Sequence, residues 1–282
     1  MLGARLAGKP CIATAHGTYT IQPLLHARHA KRARWTYARF SGLISVSGYT
    51  ARRLREVLGK EADLLKVRTI PNCVDLAPLE EPQNLEGCLW SDKRFTLGIG
   101  ETKERKGHHL ALGAWVKAAA DQPDLHHFTV GRLSNDDYEA SLRAIAREGG
   151  MQDRVHFLGN VTEAEKIDLT QRCEAFVHTP VTASDGGFEG FGIVYLEASA
   201  CGKPVLGTNG CGAEDAIVHD ETGLLADPDP DSVTAALTRL LGDPELRPRM
   251  GEAGRRHARA NTWEKNAAAV LELYDSSLGG RA

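Results

Sequence analysis

Short apolar runs alternate regularly with longer amphipathic ones along this sequence. The apolar run "GLISVS" at 42–47 precedes the helical pattern "GYTARRLREVLG", and "RFTLGIG" at 94–100 precedes "KGHHLALGAWVKAAA" at 106–120. Two strands of one sheet that are joined by a helix run parallel, because a parallel pair needs a long crossover connection. The alternation therefore predicts an α/β chain built from βαβ units.

The predicted elements form two blocks. The first block has strands at "PCIATAHG", "GLISVS" and "VRTIPNCVD", a helix over 22–39, and a helix over 48–59 that Ser47 caps. The second block has strands at "RFTLGIG", "LHHFTVG", "RVHFLG", "AFVHTP" and "PVLGT", with helices between them. Residues 77–93 hold two prolines, several acids and no periodicity, which predicts a linker between the blocks.

These blocks divide the chain into four predicted regions. They are a first Rossmann-like domain at 1–80, a linker at 81–93, a second Rossmann-like domain at 94–262, and a final helix at 263–282 that crosses back to the first domain. A length of 282 residues exceeds one ordinary core, which agrees with two domains. Open α/β sheets bind ligands at the carboxyl ends of their strands. We therefore expect the chemistry in a cleft between the two domains.

Cations collect in the loop after the strand at 94–100. Lys103, Arg105 and Lys106 lie just before a predicted helix, where free backbone N–H groups and the helix dipole favour a phosphate. His16 lies at the corresponding end of the first strand. These side chains are candidates for a site that binds an anionic ligand.

A glycine-rich loop at 186–192 contains one carboxylate, and a second follows eight positions later in the chain. Its glycines, Gly190 and Gly192 among them, allow a close backbone approach and turn N–H groups toward an anion. Glu189, within the loop, can accept hydrogen bonds from a polyhydroxyl group, and Glu197, in the following helix, is suited to the two vicinal hydroxyls of a ribose. The spacing predicts one ligand with phosphates in its middle and hydroxylated sugars at both ends.

Composition excludes several other classes of protein. The hydrophobic fraction of 42% is that of a globular chain, and the six cysteines form no CxxC pair, which argues against a zinc knuckle or a disulfide framework. No apolar run approaches the roughly 18 residues needed to span a bilayer. The first residues, "MLGARLAGKPCIATAHG", lack a secretory core and cleavage site. We expect reduced thiols and a cytoplasmic location.

The net charge of −3 conceals a strongly cationic first fifth of the chain. Residues 1–55 contain ten Lys or Arg and no Asp or Glu, and the densest stretch is "HARHAKRARWTYARF" at 26–40. Basic residues beside aromatic ones on a helix suit an anionic membrane surface. The alternative is a solvated helix face whose aromatic side chains are core. No nucleic-acid partner is expected, because the rest of the chain is acidic.

Five sets of motifs, in order, resemble one family, the retaining GT-B glycosyltransferases of family four (glycosyl transferases group 1). The motifs are "HG" and "ISVS…IPNCVD" in the first block, "KG" at 106–107, "VHFLGNV" at 155–161, "EGFGIVYLE" followed by "ASACGKPVLGT", and "ETGLLADPDPDSVTAAL" at 221–237. The resemblance covers nearly the whole chain and implies a GT-B fold. It also implies an incomplete N-terminal domain, since family members carry further strands before the position where this sequence starts.

The family's functional residues map onto the candidates above. By this resemblance Glu189 contacts hydroxyls of the donor sugar, Glu197 holds the ribose, and Lys106 neutralises the diphosphate. The matching positions for backbone and cross-domain contacts are Gly190, Phe191, Gly192 and His16, with Arg105 and Lys103 as further cations. The implied reaction is transfer of a sugar from a nucleotide diphosphate sugar to an acceptor hydroxyl with retained configuration, without a metal or other cofactor.

One position departs from the family pattern. Glu101 stands where members carry an arginine directly after the glycine that ends the strand. A carboxylate that faced a diphosphate would be repelled strongly in a cleft of low dielectric constant. We therefore expect Glu101 to turn away and Lys103 or Arg105 to supply the positive charge. His178, Asp185 and Lys203 are expected to have packing, capping or surface roles.

Two other functions remain open at this stage. A catalytically impaired nucleotide-sugar-binding subunit or fragment would follow from the incomplete first domain and from Glu101. A glycoside hydrolase would use Glu189 and Glu197 as its carboxylate pair, although a hydrolase needs no phosphate-type helix start. The acceptor is not specified by the sequence, and a lipid-linked one is expected if 26–40 binds a membrane.

Overall fold

The computed structural model describes residues 7–279 and contains two parallel sheets. The first sheet has three strands in the order Ile12–Ala15, Gly42–Ser45 and Val67–Thr69. The second has six in the order Val155–Gly159, Leu125–Val130, Arg94–Ile99, Ala175–Val177, Val205–Thr208 and Gly223–Ala226. Every strand pair within them is parallel. The parallel α/β architecture predicted from the alternation of strands and helices is confirmed.

The first sheet and its helices come before the linker. The elements are β1 (Ile12–Ala15), α1 (Thr18–Leu25), α2 (Ala27–Tyr37), β2 (Gly42–Ser45), α3 (Gly48–Leu58), a 3-10 helix (Gly59–Leu64), β3 (Val67–Thr69) and the one-turn α4 (Ala77–Glu80). The predicted cap of α3 is present, because the Ser47 hydroxyl accepts a hydrogen bond of 2.9 Å from the Thr50 N–H. The first core packs α1 and α3 on this sheet.

Two predictions for the first block are wrong in their boundaries. The single helix predicted over 22–39 is two helices, because His26 is extended and its carbonyl accepts the first hydrogen bonds of α2. The two helices bury different faces, so the single helical period predicted over 22–39 does not apply to both of them. The strand predicted at "VRTIPNCVD" ends at Thr69, close to Pro71, which has no N–H to extend the ladder.

The second sheet begins after the linker and holds most of the chain. Its elements are β4 (Arg94–Ile99), a 3-10 turn (Glu104–Lys106), α5 (His108–Ala118), β5 (Leu125–Val130), α6 (Asp137–Glu148), β6 (Val155–Gly159), α7 (Glu163–Arg172), β7 (Ala175–Val177), α8 (Ile193–Ala200), β8 (Val205–Thr208), α9 (Ala213–Ala216), β9 (Gly223–Ala226), α10 (Pro230–Gly242) and α11 (Leu246–Ala260). Hydrophobic cores lie on both faces of this sheet, as a buried parallel sheet requires.

The linker is fixed to the second domain by one buried acid. Asp168 on α7 is 1% exposed and accepts hydrogen bonds from the Trp90 indole at 2.7 Å and from the Leu85 N–H at 3.1 Å. Arg172, one turn later, bonds to the same carboxylate at 2.9 Å. A buried carboxylate is stable only when its oxygens are paired, as they are here.

The final helix, α12 (Trp263–Gly279), packs against the first sheet. Leu273 forms a small core with Ile44 and Ile70, and the Asn266 amide donates to the Pro71 carbonyl at 2.7 Å. The described chain therefore returns from the second sheet to the first.

Candidate functional site

Gly107 positions Lys106 in the loop after β4, and no other residue could replace this glycine. Gly107 has φ +66°, and a Cβ built on it would lie 1.6 Å from the Thr179 carbonyl oxygen. The Thr179 hydroxyl in turn donates to the Gly107 carbonyl at 2.9 Å. The 3-10 turn therefore presses against the end of β7, which places Lys106 beside the glycine-rich loop.

Lys106 and Glu189 form a short ion pair at this point. The Lys106 Nζ lies 2.5 Å from the Glu189 Oε2, and the two side chains are only 16% and 13% exposed. An Arg105 guanidinium nitrogen lies 3.6 Å from the same oxygen. Burial alone would raise the pKa of the Glu189 carboxyl, but the neighbouring His178 and Lys106 more than offset burial and hold that pKa well below its usual range. Glu189 is therefore an ionised, partly desolvated acceptor.

The amino end of α8 adds backbone donors next to this pair. Gly192, at φ +84°, precedes the helix, and its Cβ position would lie 3.7 Å from the Glu189 Cγ. Within residues 7–279, the N–H groups of Phe191, Gly192 and Ile193 donate to no acceptor. Free amides at a helix start, together with the helix dipole, make a site suited to an anion.

The first domain contributes the opposite wall. His16 is exposed and directly follows β1. A Cβ on Gly190 would lie 2.3 Å from the His16 carbonyl oxygen, and one on Gly17 would lie 2.7 Å from the Gly190 Cα. Gly190 thus serves a close backbone contact between domains, a role that the sequence did not predict, and its predicted contact with a donor remains a prediction.

Further contacts across the domains hold the loop in place. Phe188 is buried in the core of the first domain, and its backbone exchanges hydrogen bonds of 2.7 and 2.8 Å with the Thr18 hydroxyl. Asp215 accepts from the N–H groups of Gly48 and Tyr49 at 2.7 and 3.2 Å, which caps α3 from the other domain. No local sequence signal marks Phe188 or Asp215, because their partners lie more than 160 positions away.

Glu197 lies on α8 and is paired with a different lysine. Its Oε1 accepts from the Lys166 Nζ at 3.1 Å, and Glu163 holds the same ammonium at 2.8 Å. Burial lowers the pKa of Lys166, but the two carboxylates outweigh burial and raise that pKa above its usual value. The two glutamates of the motif therefore have separate cationic partners.

Glu101 is turned toward cations of its own. Its carboxylate lies 2.6 Å from the Lys103 Nζ and 3.1 Å from the Arg132 guanidinium. The hydrogen bond from Lys103 lowers the pKa of the Glu101 carboxyl. Of the two cations that were expected to replace the family's arginine, Arg105 faces Glu189, whereas Lys103 is held by Glu101.

His178 is a residue whose surroundings the sequence did not reveal. It directly follows β7 and is completely buried, and its Nε2 lies 3.7 Å from the Glu189 Oε2. Burial lowers the pKa of His178, so the imidazole is neutral. The Asp185 carboxylate accepts a hydrogen bond of 2.8 Å from the Gly187 N–H, two positions later in the same loop. The only sequence signal for His178 is its position at the carboxyl end of a strand.

The basic segment at 26–40 divides into structural and exposed cations. Arg34 donates to the carbonyls of Val57 and Leu58 at 2.6 and 3.1 Å and so joins α2 to the end of α3. The exposed side chains of this face and of α1 are Tyr19, Leu25, Arg28, Lys31, Arg32 and Trp35. A mixed apolar and cationic face is therefore present, whereas the Arg34 side chain holds α2 against the end of α3.

Residues 7–279 contain neither a metal-ligand cluster nor a membrane-spanning helix. No group of three or more His, Cys, Asp or Glu side chains that could hold a metal ion occurs in the described part of the chain. Over the same residues, no helix is long and apolar enough to cross a membrane. All six cysteines are free thiols.

Comparison with known proteins identifies the class of this fold and site. The model of the family described as glycosyl transferases group 1 matches residues 88–257, and the model described as glycosyltransferase family 4 matches residues 1–78. The chain belongs to the glycosyl transferases group 1, of the family 4 type. The family predicted from the motifs is confirmed.

Two curated mannosyltransferases are among the similar proteins. One, from Corynebacterium glutamicum, is a GDP-mannose-dependent monoacylated alpha-(1-6)-phosphatidylinositol monomannoside mannosyltransferase, 32% identical over 83% of this chain and 62% of its own length. The other, from Mycolicibacterium smegmatis, is a phosphatidyl-myo-inositol mannosyltransferase, 30% identical over 99% of this chain and 68% of its own. The chain therefore spans about two thirds of the length of these relatives.

Solved structures agree on the fold. Anabaena HepE in complex with UDP and glucose superposes with a TM-score of 0.81 at 22% identity, over 98% of this chain and 74% of that one. Sucrose-phosphate synthase from Thermosynechococcus elongatus superposes with a TM-score of 0.76 at 24% identity, over 99% and 71%. The predicted GT-B fold is confirmed.

Proposed function

We propose that this chain transfers a glycosyl group from a nucleoside diphosphate sugar to an acceptor hydroxyl, in the synthesis of a glycolipid or other glycan. Membership of the glycosyl transferases group 1 supports the reaction class, and the name of the Corynebacterium glutamicum relative supports GDP-mannose as the first donor to test. HepE, which has been solved in complex with UDP-glucose, supports UDP-glucose as the second.

The observation that carries the proposal is the Lys106–Glu189 pair beside the free amides of α8. A diphosphate that enters offers Lys106 a doubly charged partner and draws its ammonium from the carboxylate. The Glu189 Oε2 is then free to accept hydrogen bonds from sugar hydroxyls. Lys106 thus binds the phosphate part of the ligand, and Glu189 binds the sugar part of the same ligand.

The same groups stabilise the charge that develops during transfer. The bond between the anomeric carbon and the phosphate oxygen breaks, and negative charge grows on the departing diphosphate. In this proposal Lys106, Arg105 and the amides of Phe191 and Gly192 stabilise that charge, and the partial burial of the two cations strengthens the interaction. The His16 backbone carbonyl lies against Gly190 of the loop, and the His16 side chain is the group proposed to contact the sugar from that side.

Retention and independence of metal are part of the proposal. The acceptor oxygen bonds to the anomeric carbon on the face that the diphosphate leaves, and a departing phosphate oxygen takes the acceptor's proton. Glu189 orients the sugar and is not a nucleophile, while Glu197 holds the ribose. Retained anomeric configuration in the product, measured by NMR, and unchanged turnover in excess EDTA are the expected results.

The acceptor is proposed to be lipid-linked, with α2 lying on an anionic membrane. Arg28, Lys31 and Arg32 supply exposed positive charge, and the relatives' names include phosphatidylinositol acceptors. The double variant Arg28→Glu, Arg32→Glu should lose sedimentation with phosphatidylglycerol vesicles. Arg34 is left unchanged, because it joins α2 to α3. Sedimentation equal to that of the unmodified chain would indicate that α2 faces solvent and does not bind the membrane.

The direct test is release of nucleoside diphosphate from GDP-mannose or UDP-glucose in the presence of phosphatidylinositol vesicles. Lys106→Met should abolish release, whereas Lys117→Met, near the far end of α5, should match the unmodified protein. Nucleotide binding without transfer would support the impaired-subunit alternative. Release of free sugar from an unactivated glycoside would support a hydrolase, for which the separate partners of Glu189 and Glu197 give no support.

A further inference from the structure

One completely buried histidine has no hydrogen-bond partner. Both ring nitrogens of His178 are inaccessible to solvent and unpaired in the structure of residues 7–279. Two other buried histidines are paired: His127 with the Thr96 hydroxyl at 2.8 Å, and His108 with the carbonyl oxygens of Gly100 and Glu101 at 3.2 Å. A buried polar group without a partner is costly, so His178 requires an explanation that packing does not supply.

The imidazole of His178 is held next to the oxygen that Lys106 occupies. Its Nε2 lies 3.7 Å from the Glu189 Oε2, which is slightly beyond a hydrogen bond. The Tyr195 hydroxyl donates to the His178 carbonyl at 2.7 Å, and the Tyr195 and His178 rings lie 5.5 Å apart. The ring is therefore fixed from behind, and its free nitrogen faces one carboxylate oxygen.

We propose that His178 is a positioning residue, which donates its Nε2–H to Glu189 when a diphosphate draws Lys106 away. The inference rests on the proposed function, because it requires a nucleoside diphosphate in the site. The movement needed is small, since shortening the distance by under about 1 Å makes a normal hydrogen bond.

The exchange of Lys106 for His178 as the partner of Glu189 keeps this carboxylate ionised after the donor has bound. A buried carboxylate that loses its cation tends to take up a proton, and a protonated Glu189 would accept fewer hydrogen bonds from the sugar. A neutral imidazole N–H keeps the carboxylate ionised and leaves its remaining lone pairs for the hydroxyls. Burial lowers the pKa of His178, which agrees with the neutral form that this role requires.

The first test is kinetic and uses substitutions that separate donation from packing. His178→Leu removes the donor, and kcat should fall about ten- to a hundredfold while the KM for the sugar nucleotide changes little. His178→Gln restores an N–H near the Nε2 position and should recover most of kcat. The matched control is His127→Leu on β5, which is equally buried but already paired, and should retain kcat per folded molecule.

The second test does not depend on turnover. In protein labelled with ¹⁵N-histidine, the Nε2–H resonance of His178, assigned by its loss in His178→Gln, should move downfield when saturating GDP or UDP is added. A resonance that nucleotide binding does not move, or His178→Gln as impaired as His178→Leu, would overturn the inference. A moved resonance without sugar transfer would instead support the exchange and contradict the proposed function.

Discussion

The loop after β4 takes part in two charge clusters that have similar chemistry and different surroundings. In the outer cluster, Glu101 contacts Lys103 and Arg132 at 2.6 and 3.1 Å, with side chains between 36% and 62% exposed. In the inner cluster, Glu189 contacts Lys106 and Arg105 at 2.5 and 3.6 Å, with side chains between 13% and 25% exposed. Distance therefore does not distinguish them, but burial does.

Burial decides which cluster can perform chemistry. Water screens the outer charges, so ion pairs of that kind contribute little to stability or binding. In the inner cluster the lower dielectric constant strengthens every interaction with an incoming charge. The Glu101 carboxylate is paired with Lys103 and Arg132, so we expect it to leave donor binding unaffected.

The largest expected contrast is in turnover. Glu189→Gln keeps the size of the side chain but removes the charge and one acceptor, and should lower kcat about 10²- to 10³-fold. Glu101→Gln, its counterpart in the outer cluster, should stay within about twofold, as exposed pairs do. Steady-state release of nucleoside diphosphate measures both. Equal losses in the two variants would remove the distinction between the clusters.

The next contrast is in nucleotide affinity. Lys106→Met should weaken binding of GDP or UDP about 10- to 100-fold, the loss expected for one hydrogen bond to a charged group. Arg132→Met should change the dissociation constant by less than about twofold. Isothermal titration calorimetry on folded protein gives both values. A larger effect from Arg132 would place the phosphate at the outer cluster.

A smaller contrast is expected in the pH dependence of stability. Because the pKa of Glu189 is lowered in the folded protein, its contribution is fully present above the usual glutamate pKa and is lost as pH falls toward the folded value. The difference in unfolding free energy between the unmodified chain and Glu189→Gln should therefore shrink between pH 6 and pH 3, by at least about 1 kcal/mol. Urea unfolding at both pH values measures it. A difference that grows on acidification would contradict the lowered pKa.

The smallest contrast is in salt dependence. The stability lost in Glu101→Gln should itself diminish by a few tenths of a kcal/mol between about 0.05 and 0.5 M NaCl, since the Debye length becomes shorter than most charge separations at the surface. The loss in Glu189→Gln should persist, because its partners are shielded from solvent ions. Thermal unfolding of both variants at the two salt concentrations is sufficient. Inner and outer pairs that respond alike would mean that water reaches Glu189.

The sequence was informative where local rules decide the structure. The alternation of strands and helices, the Ser47 cap and the motif order predicted the sheets, the start of α3 and the family. The sequence did not show the break at His26, because no glycine or proline stands at 25–27 to mark it. Boundaries of this kind depend on which face each helix buries.

The candidate site was predictable only in part, for a related reason. Residue types and strand ends identified Lys106 and Glu189 as candidates, and the structure brings them together. Asp215 gave no comparable signal, because its partners Gly48 and Tyr49 are distant in sequence. His178 gave only its position at the end of β7, which does not show that the ring faces Glu189. A capping aspartate is recognisable when its helix follows it in the chain, whereas Asp215 caps a helix of the other domain.

A crystal structure of the chain with bound GDP or UDP tests the central claim most directly. We predict that the Lys106 Nζ lies within about 3.2 Å of a phosphate oxygen, that its contact with the Glu189 Oε2 has opened, and that the phosphate meets the amides at the start of α8. A nucleotide bound elsewhere, with the 2.5 Å Lys106–Glu189 pair intact, would contradict the account.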